Sequence, residues 1–213
     1  MNVIAGHDRY DATTPKVAVP DYTESIKNAD VKGLVIGMPE EYFIDGMDPD
    51  VEKSVKDAIA LFEKNGATVK KIKLPHTKYG VAVYYIISPS EVSANMARYD
   101  GIRYGPGPRD EAEDLQDYYM KARAEGFGDE IKRRIMIGTY ALSSGYYDAY
   151  YLKAQRVRTL VRKDFDDAFK EVDVIVAPVA PTPSFKVGEN TDDPVKMYLC
   201  DLFTIPSSLA GIC

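Results

Sequence analysis

Serine hydroxyls are the most evident candidates for covalent chemistry in this chain, because a serine becomes a nucleophile when a neighbouring base takes its proton. Ser143 and Ser144 precede a glycine, and Ser207 and Ser208 follow a proline. Neither pair lies in a GxSxG pattern. The first pair also lacks the flanking glycines that would let the backbone form an oxyanion hole. We therefore interpret both pairs as residues of helix caps or turns.

Metal and phosphate chemistry have little support in the sequence. The two histidines, His7 and His76, lie far apart, and no CxxC or HExxH spacing of the kind that binds zinc is present. The glycine-rich patterns GxxxxGKS/T and GxGxxG, which hold phosphates, do not occur either. We therefore expect no metal site and no phosphate-binding loop.

A basic run between residues 153 and 163 raises the question of RNA binding. It consists of Lys153, Arg156, Arg158, Arg162 and Lys163. Nucleic-acid-binding domains usually have an excess of basic residues, whereas this chain has a net charge of -6 at pH 7. The same stretch has apolar residues at helical spacing, and an amphipathic helix needs a polar outer face. We therefore interpret the run as the solvated face of a helix.

Length and composition are those of an ordinary globular protein. The chain has 213 residues, enough for one domain or a large part of one, and 45% of them are hydrophobic. No apolar run reaches the length of a membrane span, and no signal-peptide pattern is seen, so no membrane association is expected. Two cysteines are too few for a disulfide framework, which favours a cytoplasmic location.

The elements that must position functional residues begin with a βαβ pattern. Residues 33–38 form a short apolar run bounded by glycines, which predicts a buried strand. Asp48 and Pro49 then predict a helix start, because aspartate caps helices and proline suits the first helical position. Residues 67–74 alternate in polarity and predict a second strand. The helix between the strands has an apolar stripe of Val51, Val55, Ala58 and Phe62. Such a unit is normally parallel, which predicts an α/β fold.

A capping box predicts where the next helix begins. Ser88, Pro89 and Glu91 have the types expected at the N-cap, the first and the third helical positions. The predicted helix extends to about Tyr99. The preceding residues, 81–87, are apolar and aromatic and fit either a helix or a strand.

Two further helices and one strand are predicted in the second half of the chain. A helix that Asp129 caps should be interrupted by residues 138–145, which contain two glycines. A long helix should follow from Tyr146. Residues 172–177 are apolar throughout and predict a central strand that is buried on both faces. The stripe of the long helix consists of Tyr150, Ala154, Val157, Val161, Phe165 and Ala168.

Four blocks of sequence occur in the order and spacing of one known family. They are NVIAGHD at 2–8, SANMARYDGIRYG at 93–105, KRRIMIGTYALSSGYYDAYYLKAQRVR at 132–158 and MYLCDLFTIPSSLAG at 197–211. The chain resembles the A subunits of glutamyl-tRNA(Gln) amidotransferases, which belong to the amidase signature enzymes. Two departures are Cys200, where a small polar residue is more usual, and Ser207-Ser208, where Val-Asn is common.

This resemblance implies an α/β fold in which helices flank a mixed β-sheet. It also implies that residues 1–213 are the C-terminal portion of a single amidase domain. In the family, a lysine acts through a bridging serine to activate a second serine, which attacks the amide and forms an acyl-enzyme. Those residues belong to a Gly/Ser-rich signature that lies before the NVIAGHD block. No residue of this chain is therefore assigned a catalytic role, and the isolated chain is expected to be inactive.

The resemblance also implies residues that bind glutamine. The family uses an arginine, an aspartate and a tyrosine for this purpose, since an α-carboxylate needs a cationic partner and an α-ammonium an anionic one. By the matching blocks, these positions fall on Arg134, Asp201 and Tyr84. Tyr85 is the alternative to Tyr84, because adjacent tyrosines leave the match ambiguous.

The function implied by the resemblance is that of a glutaminase subunit. It hydrolyses glutamine to supply ammonia for converting Glu-tRNA(Gln) to Gln-tRNA(Gln). The expected partners are glutamine and the B and C subunits, with the tRNA bound mainly by the B subunit. This chain should bind no cofactor, while the partner subunit uses ATP and Mg2+. The alternatives are part of a general amidase with another substrate and a non-catalytic interaction module.

Overall fold

Seven helices and three short strands make up the regular structure of the part of the chain that the computed structural model describes, residues 1–27, 29–107, 112–188, 197 and 200–212. The helices are α1 (Tyr22–Lys27), α2 (Pro49–Lys64), α3 (Gly80–Met96), α4 (Leu115–Gly126), α5 (Asp129–Leu142), α6 (Lys153–Ala168) and α7 (Ile205–Ala210). The strands are β1 (Val35–Pro39), β2 (Thr68–Ile72) and β3 (Val174–Ile175). Two 3-10 segments (Glu40–Tyr42, Thr77–Tyr79) and a π-helical segment (Asp148–Leu152) complete the described elements.

The strands form one parallel sheet with the order β2-β1-β3. Ile36 of β1 is aligned with Val69 on one side and with Val174 on the other. The α/β class is thereby confirmed, although all pairs among the described strands are parallel, whereas a mixed sheet was expected. The prediction that 172–177 is a central strand is wrong for the described sheet. There β1 is central, and β3 is a two-residue edge strand with Val174 37% exposed.

Helix α2 confirms the predicted βαβ unit. The Asp48 side chain accepts a hydrogen bond from the backbone N–H of Asp50, and Pro49 begins the helix. The predicted apolar stripe needs one correction, because Ala58 is exposed and its neighbour Ile59 is buried. At 100° per residue, Ile59 lies about 40° from Val55 on one side and Ala58 lies about 60° from it on the other, so the buried face is turned towards Ile59.

Helix α3 begins at Gly80, so the capping box predicted at Ser88 does not start a helix. The preceding residues, 81–87, are already helical, and Pro89 lies inside the helix. Proline lacks the N–H that would bond the carbonyl one turn back, which usually disfavours this position. Pro89 is fully buried, and beside it the Ser90 hydroxyl donates to the Ile86 carbonyl at 2.7 Å. Long-range packing has therefore overridden the local signal.

Helix α5 continues through Gly138, so the predicted interruption at 138–145 is wrong for its first half. A Cβ atom on Gly138 would lie 1.9 Å from the carbonyl oxygen of Pro89. The glycine therefore does not break the helix but lets α5 approach α3 at backbone contact. The helix begins one residue earlier than predicted, because the N-cap is Gly128 and Asp129 is already the first helical residue.

The long helix predicted from Tyr146 is divided into the π-helical segment and α6. Its apolar stripe forms much of the hydrophobic core, with Val161 and Phe165 almost fully buried, although Tyr150 remains exposed. On the outer face of α6, Lys163 contacts Asp167. The exposed Lys163 agrees with the interpretation of the basic run as a solvated surface, whereas Arg158 departs from it, because it is partly buried and donates to the Leu209 carbonyl at 2.8 Å.

Candidate substrate-binding site

Arg134 lies on α5, one turn after Glu130, and the two side chains form an ion pair. The Arg134 Nε donates to one oxygen of the Glu130 carboxylate at 2.9 Å, and Arg133 contacts the other oxygen. These contacts hold the pKa of Glu130 below its ordinary value, with the Arg134 hydrogen bond as the largest cause. The Arg134 side chain is only 25% exposed, so helix α5 presents it from a partly buried position.

Tyr84 on α3 meets Arg134 across the contact between the two helices. The Glu130 carboxylate raises the pKa of Arg134 most, partial burial lowers it, and the nearby Tyr84 hydroxyl raises it further. The two predicted residues therefore lie side by side although they are fifty positions apart in sequence. The Tyr85 ring packs edge-on against Tyr84, with the ring centroids 5.0 Å apart. Tyr85 therefore lies beside Tyr84, and the choice between the two tyrosines remains a prediction.

The close approach of α3 and α5 produces this meeting. Gly138 packs on the Pro89 carbonyl, and next to it the hydroxyls of Ser93 and Thr139 are 2.8 Å apart. These contacts fix the two helices about one to two and a half turns away from Tyr84 and Arg134. The arrangement places a fixed positive charge and a phenolic hydroxyl together, which suits a small anionic group such as a carboxylate.

Asp201 lies in the turn before α7 and is exposed. Its backbone carbonyl accepts hydrogen bonds from the N–H groups of Thr204, at 3.2 Å, and Ile205, at 3.0 Å. Among the described residues, no hydrogen bond or ion pair joins Asp201 to Tyr84 or Arg134. Tyr198 and Leu199 of the same sequence block lie outside the described residues. The assignment of Asp201 to substrate binding remains a prediction.

The serine pairs have local roles. The Ser143 hydroxyl donates to the Tyr140 carbonyl at 2.7 Å, where α5 ends. The hydroxyls of Ser207 and Ser208 both donate to the Thr204 carbonyl, at 2.9 and 3.3 Å. Each of these hydroxyls bonds a carbonyl three or four residues earlier, as residues of turns and helix ends do. The contacts agree with the interpretation of both pairs as structural residues.

Neither a metal cluster nor a membrane-spanning helix is found in the part of the chain that the structure describes. No three His, Cys, Asp or Glu side chains there are close enough to hold a metal ion together. None of the described helices is both long enough and apolar enough to cross a bilayer.

Glu130 is the site residue that sequence reasoning did not find. An acid four residues before an arginine is the usual spacing of an ion pair on one helix face, so the signal was present.

A second polar group borders the same helices: the Tyr151 hydroxyl donates to Glu91 at 3.0 Å and accepts from Gln155 at 2.9 Å. Burial is the largest cause that raises the pKa of Tyr151.

The fold and the sequence blocks together define the class. The profile of the amidase family matches residues 1–213, and the chain belongs to this family. Its curated relatives include the A subunit of glutamyl-tRNA(Gln) amidotransferase from Geotalea daltonii, which is 57% identical over the whole chain. The A subunit from Carboxydothermus hydrogenoformans is 58% identical, also over the whole chain. The resemblance predicted from the sequence blocks is thereby confirmed.

The chain spans less than half the length of these relatives, 44% of the first and 43% of the second. Among solved structures, the crystal structure of the A subunit from Thermotoga maritima matches with a TM-score of 0.67 and 37% identity, over 99% of this chain and 40% of that chain. A bacterial aryl acylamidase of the amidase signature enzymes matches with a TM-score of 0.62 at 20% identity, over 99% of this chain and 41% of that chain. The last comparison shows a shared fold alone.

Proposed function

We propose that this chain is the glutamine-binding part of a glutaminase subunit in a tRNA-dependent amidotransferase. The observation that carries the proposal is the close packing of α3 on α5, the helices that contain Tyr84 and Arg134, two residues that the family resemblance assigns to the substrate. The amidase family membership and the A-subunit relatives support the same reaction class. In this function the subunit hydrolyses the side-chain amide of glutamine and releases ammonia.

The substrate contacts follow from the chemistry of glutamine. Arg134 binds the α-carboxylate through charge-assisted hydrogen bonds, and Asp201 binds the α-ammonium group. The Tyr84 hydroxyl donates a hydrogen bond to the carboxylate and helps to orient the guanidinium. These three contacts hold the amino acid by its backbone groups, so that its side-chain amide is presented to the nucleophile.

The nucleophile is not part of this proposal for residues 1–213. The chain spans 44% of the length of the first relative, and we infer that it is the C-terminal portion of one amidase domain. The lysine and the two serines of the family mechanism would then lie outside it. The isolated chain accordingly binds substrate groups but does not hydrolyse glutamine.

The resemblance to the A-subunit relatives also supports a proposal for the complex in which the reaction takes place. Ammonia released from glutamine is used by a B subunit, which activates Glu-tRNA(Gln) with ATP and Mg2+, and a C subunit completes the heterotrimeric assembly. The tRNA is bound mainly by the B subunit, so this chain itself needs neither a basic surface nor a nucleotide site. The complex acts in translation, in the cytoplasm.

A chimera tests the proposal in a complete enzyme. This chain replaces the matching segment of the Geotalea daltonii A subunit, to which it is 57% identical, and the chimera is produced with that organism's partner subunits. Glutamine binding is measured by calorimetry, and ammonia release gives kcat and KM. The chimera should hydrolyse glutamine; release of ammonia from simple aliphatic amides but not from glutamine would overturn the proposed substrate.

Arg134→Ala in the chimera is the decisive variant. Loss of a charge-assisted contact to a carboxylate costs about 1.5–3 kcal/mol, so the Kd and KM for glutamine should rise roughly 10- to 150-fold. Lys132→Ala is the matched control, because Lys132 lies on the same helix and its contact to Asp129 is 3.8 Å long and exposed. Unchanged glutamine affinity in Arg134→Ala would reject the assignment.

A further inference from the structure

The contact between Glu130 and Arg134 selects one edge of the guanidinium group. A guanidinium offers a carboxylate two useful edges, one formed by Nε and an Nη atom and the other by the two Nη atoms. Glu130 accepts from Nε at 2.9 Å, so the edge that includes Nε is occupied. Among the described residues no ion pair occupies the edge formed by the two Nη atoms, which therefore suits an incoming anion.

The charge balance of this group favours anion binding in spite of the carboxylate. Arg133 contacts the second oxygen of Glu130, so one glutamate is shared by two arginines. Glu130, Arg133 and Arg134 together therefore have a net charge of +1. The Glu130 side chain is 43% exposed, and solvent screens its repulsion of an anion bound at the far edge of Arg134.

An ion pair and partial burial hold Arg134 in place. Glu130 lies one turn earlier on the same helix, α5, and the Arg134 side chain is only 25% exposed. An arginine side chain has several rotatable bonds, and a partly buried arginine held by an ion-pair partner loses less freedom when it binds a ligand. The pair therefore supplies pre-organisation as well as charge.

We propose that Glu130 is a positioning residue for substrate binding, which holds Arg134 by its Nε so that the two Nη atoms receive the α-carboxylate of glutamine end-on. This inference rests on the proposed function, because it assumes that Arg134 binds that carboxylate. It adds a residue and a binding geometry that determine specificity for amides with an α-carboxylate.

The experiment uses three Glu130 variants in the chimera. Glu130→Ala removes the acceptor, and Glu130→Asp keeps the charge but is too short to reach Nε. Both should raise the KM for glutamine about three- to tenfold with little change in kcat. Glu130→Gln keeps an oxygen at the acceptor position and should restore most of the affinity. Because Glu130→Asp and Glu130→Gln both keep a polar side chain at this exposed position, they test the proposal even where Glu130→Ala does not fold.

A second substrate separates positioning from a general structural effect. 4-Aminobutanamide is glutamine without its α-carboxylate, so its kcat/KM should be the same in all three variants and in the parent chimera. Asp129→Ala is the matched control: this neighbouring acid contacts only Lys132 among the described residues, at 3.8 Å, and its side chain is 97% exposed. It should leave both substrates unaffected.

Each outcome separates the two proposals. If Arg134→Ala has no effect on glutamine affinity, the proposed function fails and the positioning role fails with it. If Arg134→Ala weakens glutamine binding but Glu130→Asp does not, only the positioning role is overturned. Equal impairment of Glu130→Gln and Glu130→Asp, or an equal loss with 4-aminobutanamide, would also overturn it.

Discussion

Where α3 crosses α5, the two helices leave no room for one methyl group, whereas at the β3 edge of the sheet apolar side chains border an open cavity. The crossing rests on the backbone of Pro89 and Gly138. The cavity at the edge has a volume of about 640 Å³ and is lined by residues such as Val174, Val179 and Phe203. The helix crossing therefore fixes the spacing of the two helices by backbone contact, whereas the open edge has no such contact.

This difference explains which part of the site the structure brings together. Tyr84 and Arg134 project from the two crossed helices, and they meet. Asp201 lies in a turn next to the open side, and no described contact links it to the other two. A predicted binding residue on rigid crossed helices is therefore positioned by packing within this chain, while one on an exposed turn is not.

The largest effect is expected from Gly138→Ala at the crossing. The new Cβ atom would lie 1.9 Å from the Pro89 carbonyl oxygen, which belongs to the backbone and cannot move alone. The helices must separate, and overpacking of this kind should lower the free energy of unfolding by about 3 kcal/mol. Urea denaturation of the chain measures this loss. In the chimera, the same variant should weaken glutamine binding, because Tyr84 and Arg134 move apart.

Gly126→Ala is the control for that experiment. Gly126 is the last residue of α4, and a Cβ atom there would have no neighbour within 4 Å. Alanine is the better helix former, so the variant should be neutral or more stable by up to about 1 kcal/mol. Equal effects of the two glycine variants would show that backbone entropy, and not the crossing, determines the loss.

At the β3 edge of the sheet, a much larger change of side chain should lower the free energy of unfolding much less. Val179 follows β3, is 72% exposed and lines the cavity. Val179→Lys should change the free energy of unfolding by no more than about 0.5 kcal/mol, because surface substitutions rarely do more. It should also reduce self-association at high protein concentration, since a charge interrupts exposed apolar surface near a sheet edge. Light scattering measures the association; a loss of stability above that of Gly138→Ala would contradict the comparison.

The sequence predicted the fold best where the determinants are local. The Asp48 cap and the helical spacing of α2 predicted the βαβ unit, and both are short-range signals. The start of α3 was mispredicted because Pro89 is stabilised inside a helix by burial against Gly138, which is 49 positions away. No local propensity expresses such a contact, and the interruption predicted at Gly138 was wrong for the same reason.

The residues of the candidate site were predicted from the family resemblance and not from local sequence patterns. Arg134 and Tyr84 were assigned through the family resemblance, and nothing in the local pattern could have paired them, since they belong to different helices. Glu130 could have been found from its spacing of four residues to Arg134 alone. Asp201 has the same support from the resemblance, and its role awaits an experiment.

The smallest effect concerns charges at the C-terminal end of α6, beside β2 and away from the crossing. Lys163 and then Lys170 lower the pKa of the exposed Asp167 carboxyl to about 2, compared with about 3.9 in an unfolded chain. A carboxyl with a depressed pKa contributes stability above the pKa of the unfolded state and loses it as the pH falls through the folded value. The stabilisation should therefore be present above about pH 4 and disappear towards pH 2.

Asp167→Asn measures this contribution. The difference in thermal midpoint between the parent chain and Asp167→Asn should be small at pH 6 and shrink further between pH 4 and pH 2, since solvent screens an exposed pair. In a background with Lys163→Met and Lys170→Met, the substitution should have no pH-dependent effect, because both cationic partners are gone. A difference that instead grows as the pH falls would contradict the depressed pKa. It would also show that stability depends on Asp167 in another way than through these two lysines.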